Sequence, residues 1–364
     1  MPHRFPTRRV LLASAIASLL SASAGATTFQ KSEDQFLNVG TAFRASFTSL
    51  KNGAPNGEDR SSDFELEEAR LYLNGKVHKN VSFELNVARN SGDNKVELLD
   101  GHVGLELNNY VNVWVGRFLP PGSRASAAAP AYPPTFDFPL VEQAPNQFGG
   151  RDDGATLWGA TADQKFKYQF GAFQGRKGGS NQSDALSYAT RVQYNFWDAE
   201  PGFYNLASYD GAKSILSIGA SLRSQKDGAG TATRRGDYRY WNVDGRLEKV
   251  VGGGAVVGAE ASYYHYDNDG TGDLTAPAGT GYYALASYTI GEQIGIGKLQ
   301  PKVVYQHFDN DTSGRTTKRV DLGASYLIGG SSNVRIDAFY YRQTEDGRPD
   351  VRGIKVLAHV AHFF

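Results

Sequence analysis

Residues 352–364 read RGIKVLAHVAHFF. Ile354, Val356, Ala358 and Val360 share one parity; Lys355, Leu357 and His359 share the other. A period of two marks a strand whose two faces meet different surroundings. One set toward hydrocarbon, the other toward a wet interior, and a closing aromatic at Phe364 describe the last strand of a transmembrane β-barrel.

The same alternation recurs upstream. Val81, Phe83, Leu85 and Val87 interleave with Ser82, Glu84 and Asn86; Val320, Leu322, Ala324, Tyr326 and Ile328 interleave with Arg319, Asp321, Gly323 and Ser325. Sixteen such segments are expected, near 36–48, 63–75, 80–89, 96–107, 110–118, 151–162, 165–175, 184–196, 213–224, 237–249, 254–266, 280–290, 298–308, 317–328, 332–342 and 352–364. Each is close to the length a tilted strand needs to cross a bilayer. A soluble β-sandwich shows the same period, but not so many strands of one length ending on an aromatic. The fold class expected is therefore all-β, an antiparallel barrel of 16 strands.

The N-terminus supports that reading. Arg4, Arg8 and Arg9 precede a short apolar stretch, Val10 to Leu20, and Ala24-Gly25-Ala26 follows. This is an export-leader pattern, too short to span a membrane. Residues 1–26 are expected to be cleaved, leaving 27–364 as one barrel domain in the bacterial outer membrane, surrounded by lipid and lipopolysaccharide. Removal takes three arginines and no acid, so 38 against 38 becomes 35 against 38, a net of −3. Nothing in that balance points to nucleic acid. The absence of cysteine excludes thiolate metal sites.

Connections are expected to alternate between short and long, as in a porin with tight turns at one mouth and loops at the other. The long set includes 49–62, 119–150, 225–236, 267–279 and 343–351; the stretch 197–212 breaks the rule, being long on the short side. Residues 119–150 hold seven of the 14 prolines, which excludes a central strand. An irregular segment of this length is usually functional, and it is expected to fold into the lumen as the third outer loop. It offers Arg124, Asp137 and Glu142, with Arg117 at its entry and Arg151 and Asp152 at its exit. Those arginines would lie nearest the constriction and favour anions.

Strand parity places Arg44, Arg70, Lys167, Arg191, Arg223, Arg246, Lys302, Arg319, Arg335 and Lys355 inward, with Glu68, Glu84, Asp100, Glu106, Asp244, Glu248, Glu260, Asp321 and Asp337. The parity of Arg117 depends on whether a bulge precedes it. Rings of basic groups on low-dielectric walls select anions. Catalytic signatures are thin: the histidines lack HExxH spacing and no G-x-S-x-G elbow occurs. The stretches Asp267-Asn268-Asp269-Gly270 and Asp309-Asn310-Asp311 lack the acid at the twelfth position that a calcium loop needs. No cofactor or metal is expected.

Four short motifs resemble one family. Gly116-Arg117-Phe118 followed by Pro120-Pro121-Gly122 resembles the turn into the constriction loop of the phosphate-selective porin O and P family, and Gly150-Arg151-Asp152-Asp153-Gly154 its exit. Glu68 to Lys76 is similar to the family's second strand, and Asp100 to Leu105 to its fourth. The resemblance implies a homotrimeric channel through which small ions or phosphate permeate, guided by an arginine ladder and a lysine-lined site. The loop of this chain departs from that pattern, with no lysine and one arginine against two acids.

Overall fold

A computed structural model describes residues 27–90, 95–128, 134–142 and 150–362. The expected leader, 1–26, and the terminal Phe364 lie outside the described residues. The strands are β1 (Thr27–Ser32), β2 (Gln35–Leu50), β3 (Asp63–His78), β4 (Val81–Asn90), β5 (Val96–Glu106), β6 (Asn112–Phe118), β7 (Asp152–Ala160), β8 (Phe166–Phe173), β9 (Ser187–Asn195), β10 (Ile215–Gly230), β11 (Arg235–Val250), β12 (Val256–Asp267), β13 (Gly279–Thr289), β14 (Gly297–Asn310), β15 (Arg315–Ile328), β16 (Val334–Glu345) and β17 (Val351–His362). One single-turn helix, α1 (Arg124–Ala127), interrupts the loop after β6.

From β2 onward each strand pairs antiparallel with the next, and β17 returns to β2, from Gly353 opposite Leu50 to His362 opposite Thr41. This closes a 16-stranded barrel. Closure satisfies the backbone groups of both would-be edges, which an apolar surround demands. In β17, Ile354, Val356 and Val360 are 39–47% exposed on the outside, whereas Leu357 and His359 are at most 1% exposed inside. The same division runs round the wall: Tyr188, Ile218 and Leu222 face out, and Arg191, Ser217 and Arg223 face in.

Two expectations change. β1 is an additional strand ahead of the sixteen; it joins β2 through a two-residue turn and pairs with residues 35–39. Residues 225–236 are not a long loop. β10 and β11 run on through a bulge between Gln225 and Ala229, with Asp227 at φ 52°, so the turn shrinks to 231–234.

Sequence pattern explains the local geometry at the head of the long loop. Gly116 has φ 137°, and a Cβ there would stand 2.3 Å from the Gly101 carbonyl oxygen, so neither the conformation nor the space admits a side chain. The other irregular connection, 196–214, leaves the opposite end of the barrel, where the neighbouring turns 161–165 and 251–255 are short.

Candidate functional site

The candidate site is the lumen, and two segments contact its inward side chains. From one end comes the stretch after β6. Ser123 caps α1 by accepting from the Ser126 N–H at 3.2 Å, and its hydroxyl donates to Glu142 at 2.5 Å, tying the two ends of the loop together. The Arg124 backbone N–H donates to Asp244 of β11 at 3.0 Å. Further along, Phe136 stacks on Phe339 of β16 with centroids 4.4 Å apart. Lys302 of β14 donates to the Pro134 carbonyl at 3.0 Å, Gln306 accepts from the Leu140 N–H at 2.6 Å, and Tyr266 of β12 donates to the Val141 carbonyl at 2.8 Å. Asp137 receives Lys355 at 3.1 Å and Arg319 at 3.4 Å, together with Arg44.

From the other end comes 196–214. Its Glu200, fully buried, takes both arms of Arg124 at 2.6 and 2.8 Å. The Asn205 N–H donates to the Ala127 carbonyl at 3.1 Å, so the two segments touch through backbone as well. Phe203 stacks on Trp114 of β6 at 4.4 Å and edges onto Phe118 at 5.9 Å. With Phe173 they form a buried aromatic cluster, and Trp158 and Tyr204 pack against it. Burying a ring of this size contributes about 2–3 kcal/mol. Lys167 donates to Asn205 at 2.8 Å and Gln169 to the Phe203 carbonyl at 2.6 Å. Tyr209 donates its N–H to Glu248 at 2.9 Å, and Asp210 accepts from the Ser332 N–H at 2.8 Å.

Titration in these two segments follows burial and partner. Burial alone would raise Glu200; the Arg124 guanidinium outweighs it and holds the carboxyl down at about 2. The pair pushes Arg124 above its ordinary value despite its own burial. Burial, aided by Asp244, pushes Glu142 up against the hydrogen bond from Ser123. Burial also raises Asp210, against its bonds from Ser332 and Ser208.

Of the sequence-derived residues, Arg124 and Asp137 make the lumenal contacts above, and Glu142 is held by Ser123 of its own loop. Arg151 meets Asp100 at 3.2 Å, and Asp152 meets Arg223 at 2.7 Å. Arg191 forms a two-armed pair with Asp244 at 2.7 and 2.8 Å and donates to the Gly122 carbonyl at 3.0 Å. Arg44 is held by Glu67 at 2.5 Å as well as by Asp137, while Arg70 engages Glu68 and Tyr72. Arg117 is elsewhere. β6 carries no bulge, so it shares the outward parity of Val115 and pairs with Asp153 at 2.9 Å on the outer surface. Glu67, Glu200, Phe203 and Asn205 were not picked from sequence. Glu67 turns inward beside Glu68 because β3 bulges opposite Arg44 and Ala45. The signal for the other three was the excess length of 197–212, with an acid and two aromatics flanking Pro201-Gly202.

Comparison with known proteins places this geometry. The family model described as phosphate-selective porin O and P matches residues 37–360. The anion-selective porin from Comamonas acidovorans superposes with a TM-score of 0.61 at 15% identity, covering 89% of this chain and 99% of that one. OprB of Pseudomonas putida at high pH gives 0.63 at 10% identity, covering 96% and 97%. The trimer form of OmpT, an outer membrane protein of Vibrio cholerae, gives 0.55 at 12%, covering 90% and 100%. Among curated proteins none matches. At these identities the structural likeness speaks for the barrel fold.

Proposed function

The chain belongs to the phosphate-selective porin O and P family, and from that premise we propose that it is a passive outer-membrane diffusion channel for small hydrophilic solutes, with a preference for anions such as phosphate. The observation that carries the channel reading is the wall itself: a closed barrel, apolar outside, whose inner face is lined with Arg, Lys, Asp, Glu, Asn and Gln. Residues 119–150 are the proposed constriction, with Arg124, Asp137, Glu142, Arg151 and Asp152 around it. Arg44, Arg70, Lys167, Arg191 and Arg223 form the lumen wall. Homotrimer assembly is proposed from the family, and export of 27–364 after cleavage at residue 26 from the leader pattern.

One observation favours weak cation preference instead: the loop carries a single arginine against Asp137 and Glu142. Planar-bilayer recording decides among the readings. Stepwise conductance in three substates supports a trimeric pore, and the sign of the reversal potential in a KCl gradient gives the preference. A purified, folded protein that gives no steps removes the channel reading in favour of a receptor-like barrel.

A further inference from the structure

The segment 196–214 borders two cavities at the short-turn mouth of the barrel. Ala207 and Ala212 line one of ≈200 Å³, which also holds Asp210, Arg335 and His359. Gly202 lines the other, of ≈420 Å³, among the turns after β3, β5 and β7. The second has the size of an ordinary small-molecule site, about 300–1,000 Å³. Its lining differs in kind from the charged wall elsewhere. Amides dominate it: Asn80, Asn108, Asn109, Asn112 and Gln164, with Trp158 as the one ring. Its charged residues are Lys79 and Glu106, and Glu106 is already engaged by Lys76 at 3.1 Å and by the Ser82 hydroxyl at 2.9 Å.

Turn formation accounts for part of this composition. Asn108 accepts from the Tyr110 and Val111 N–H groups at 2.8 and 2.9 Å, which leaves its NH2 group over. Asn80 gives its NH2 group to the Glu106 carbonyl at 2.7 Å and keeps its own side-chain oxygen. The turns do not account for Asn109 and Gln164, whose side-chain amides make no hydrogen bond among the described residues. Gln164 stands at φ 55°, where glycine or asparagine is the usual occupant. The cavity therefore offers donors and acceptors side by side. An oxyanion calls for donors alone and a metal cation for acceptors alone, whereas a hydroxyl, like an amide, is both. Trp158 is held edge-on by Trp114 at 5.6 Å and by Phe203 at 5.9 Å, and it gives the lining an apolar surface on which the C–H face of a sugar ring packs.

We infer that this cavity is a subsite for a neutral polyhydroxylated solute of mono- or disaccharide size. Asn109 and Gln164 meet its hydroxyls from two different turns, and Trp158 meets its ring. The inference rests on the reading of the barrel as a channel, to which it adds an uncharged class of solute.

The test uses the full-length chain in detergent, with maltose as the probe. The chain has no cysteine, so Ala160→Cys is a unique thiol on the amide-lined cavity, and Ala212→Cys is its counterpart on the charged one. At ten times its dissociation constant, maltose should slow modification of Ala160→Cys by a neutral methanethiosulfonate about tenfold and leave Ala212→Cys unchanged. Equal slowing at both thiols, or protection of Ala160→Cys by inorganic phosphate and not by maltose, overturns the inference. In the Ala160→Cys background, Asn109→Ala with Gln164→Gly, which suits the left-handed φ, should weaken maltose protection about tenfold, the loss of two hydrogen bonds. Protection unchanged in that variant overturns the assignment of the two amides. Protection by maltose in a protein that gives no conductance in bilayers refutes the channel reading and keeps the subsite. Steady conductance without protection refutes the subsite alone.

Discussion

The two segments that contact the lumen side chains are held in different ways. The loop after β6 spreads its attachments over strands from β11 to β17 and on to β2, through single backbone groups, one ring stack and the shared carboxylate of Asp137. The segment after β9 concentrates them: one buried ion pair, one aromatic cluster and a few amides. Distributed contacts fail one at a time, whereas concentrated ones fail together. The short-end segment should therefore respond steeply to single substitutions, and the loop only gradually.

The strongest challenge to that contrast is Glu200→Ala. It removes the two-armed partner of the buried Arg124 guanidinium and leaves it Glu260 at 3.4 Å, a loss of about 3 kcal/mol, at the low end for breaking a buried pair. The expected result is a severalfold rise in single-channel conductance, with the barrel still resistant to SDS; unchanged conductance would mean the segment does not obstruct the pore. Phe203→Ala follows, at about 3 kcal/mol for the vacated ring site. It should alter the emission of Trp114 and Trp158 and open the same route, while Glu200 keeps its partner.

Acid offers a graded version. Glu200 titrates at about 2 when docked and at 4.5 when free. A depressed carboxyl stabilises docking fully above 4.5, and that stability is lost as pH falls toward 2. Glu142 behaves oppositely. Its raised value makes its contribution complete in acid and lost as pH climbs through the docked value. Conductance against pH should thus show the Glu200 pair of the short-end segment releasing below about pH 4.5, while the Glu142 end of the loop loosens in the opposite direction, as pH rises. A release of conductance centred near neutrality would reverse the assignment.

Smaller still is Ser123→Ala, which removes a helix cap and the donor to Glu142, about 1–2 kcal/mol. Increased open-channel noise without a change in mean conductance is expected. Arg117→Gln should leave the reversal potential where it was, because that pair lies on the outer face and surface pairs contribute little. A shift toward cations would return Arg117 to the lumen.

Most of the barrel was legible because period-two alternation reports directly on which face is wet. The ends of β10 and β11 were missed because Gly228, Gly230 and the left-handed Asp227 look like loop, although the ladder resumes beyond the bulge. The proline density of 119–150 announced a non-strand. Only its excess length on the short-turn side marks 196–214, and its one proline gives no hint that Glu200 meets an arginine 76 residues earlier. Such a partnership depends on where the chain closes, and alternation is blind to it. Arg117 shows the opposite limit, since its side was a matter of one residue of register.

β1 has a consequence for biogenesis. Six residues from the start of the barrel already occupy positions 35–39 of β2, on the flank that the final strand must join, which leaves it 41–50. A shift of β17 by two residues toward the beginning of β2 would collide with Thr27, opposite Val39. The amino-terminal hairpin thus occupies the partners that a slipped closing strand would need, and leaves β17 the stretch of β2 that it pairs with.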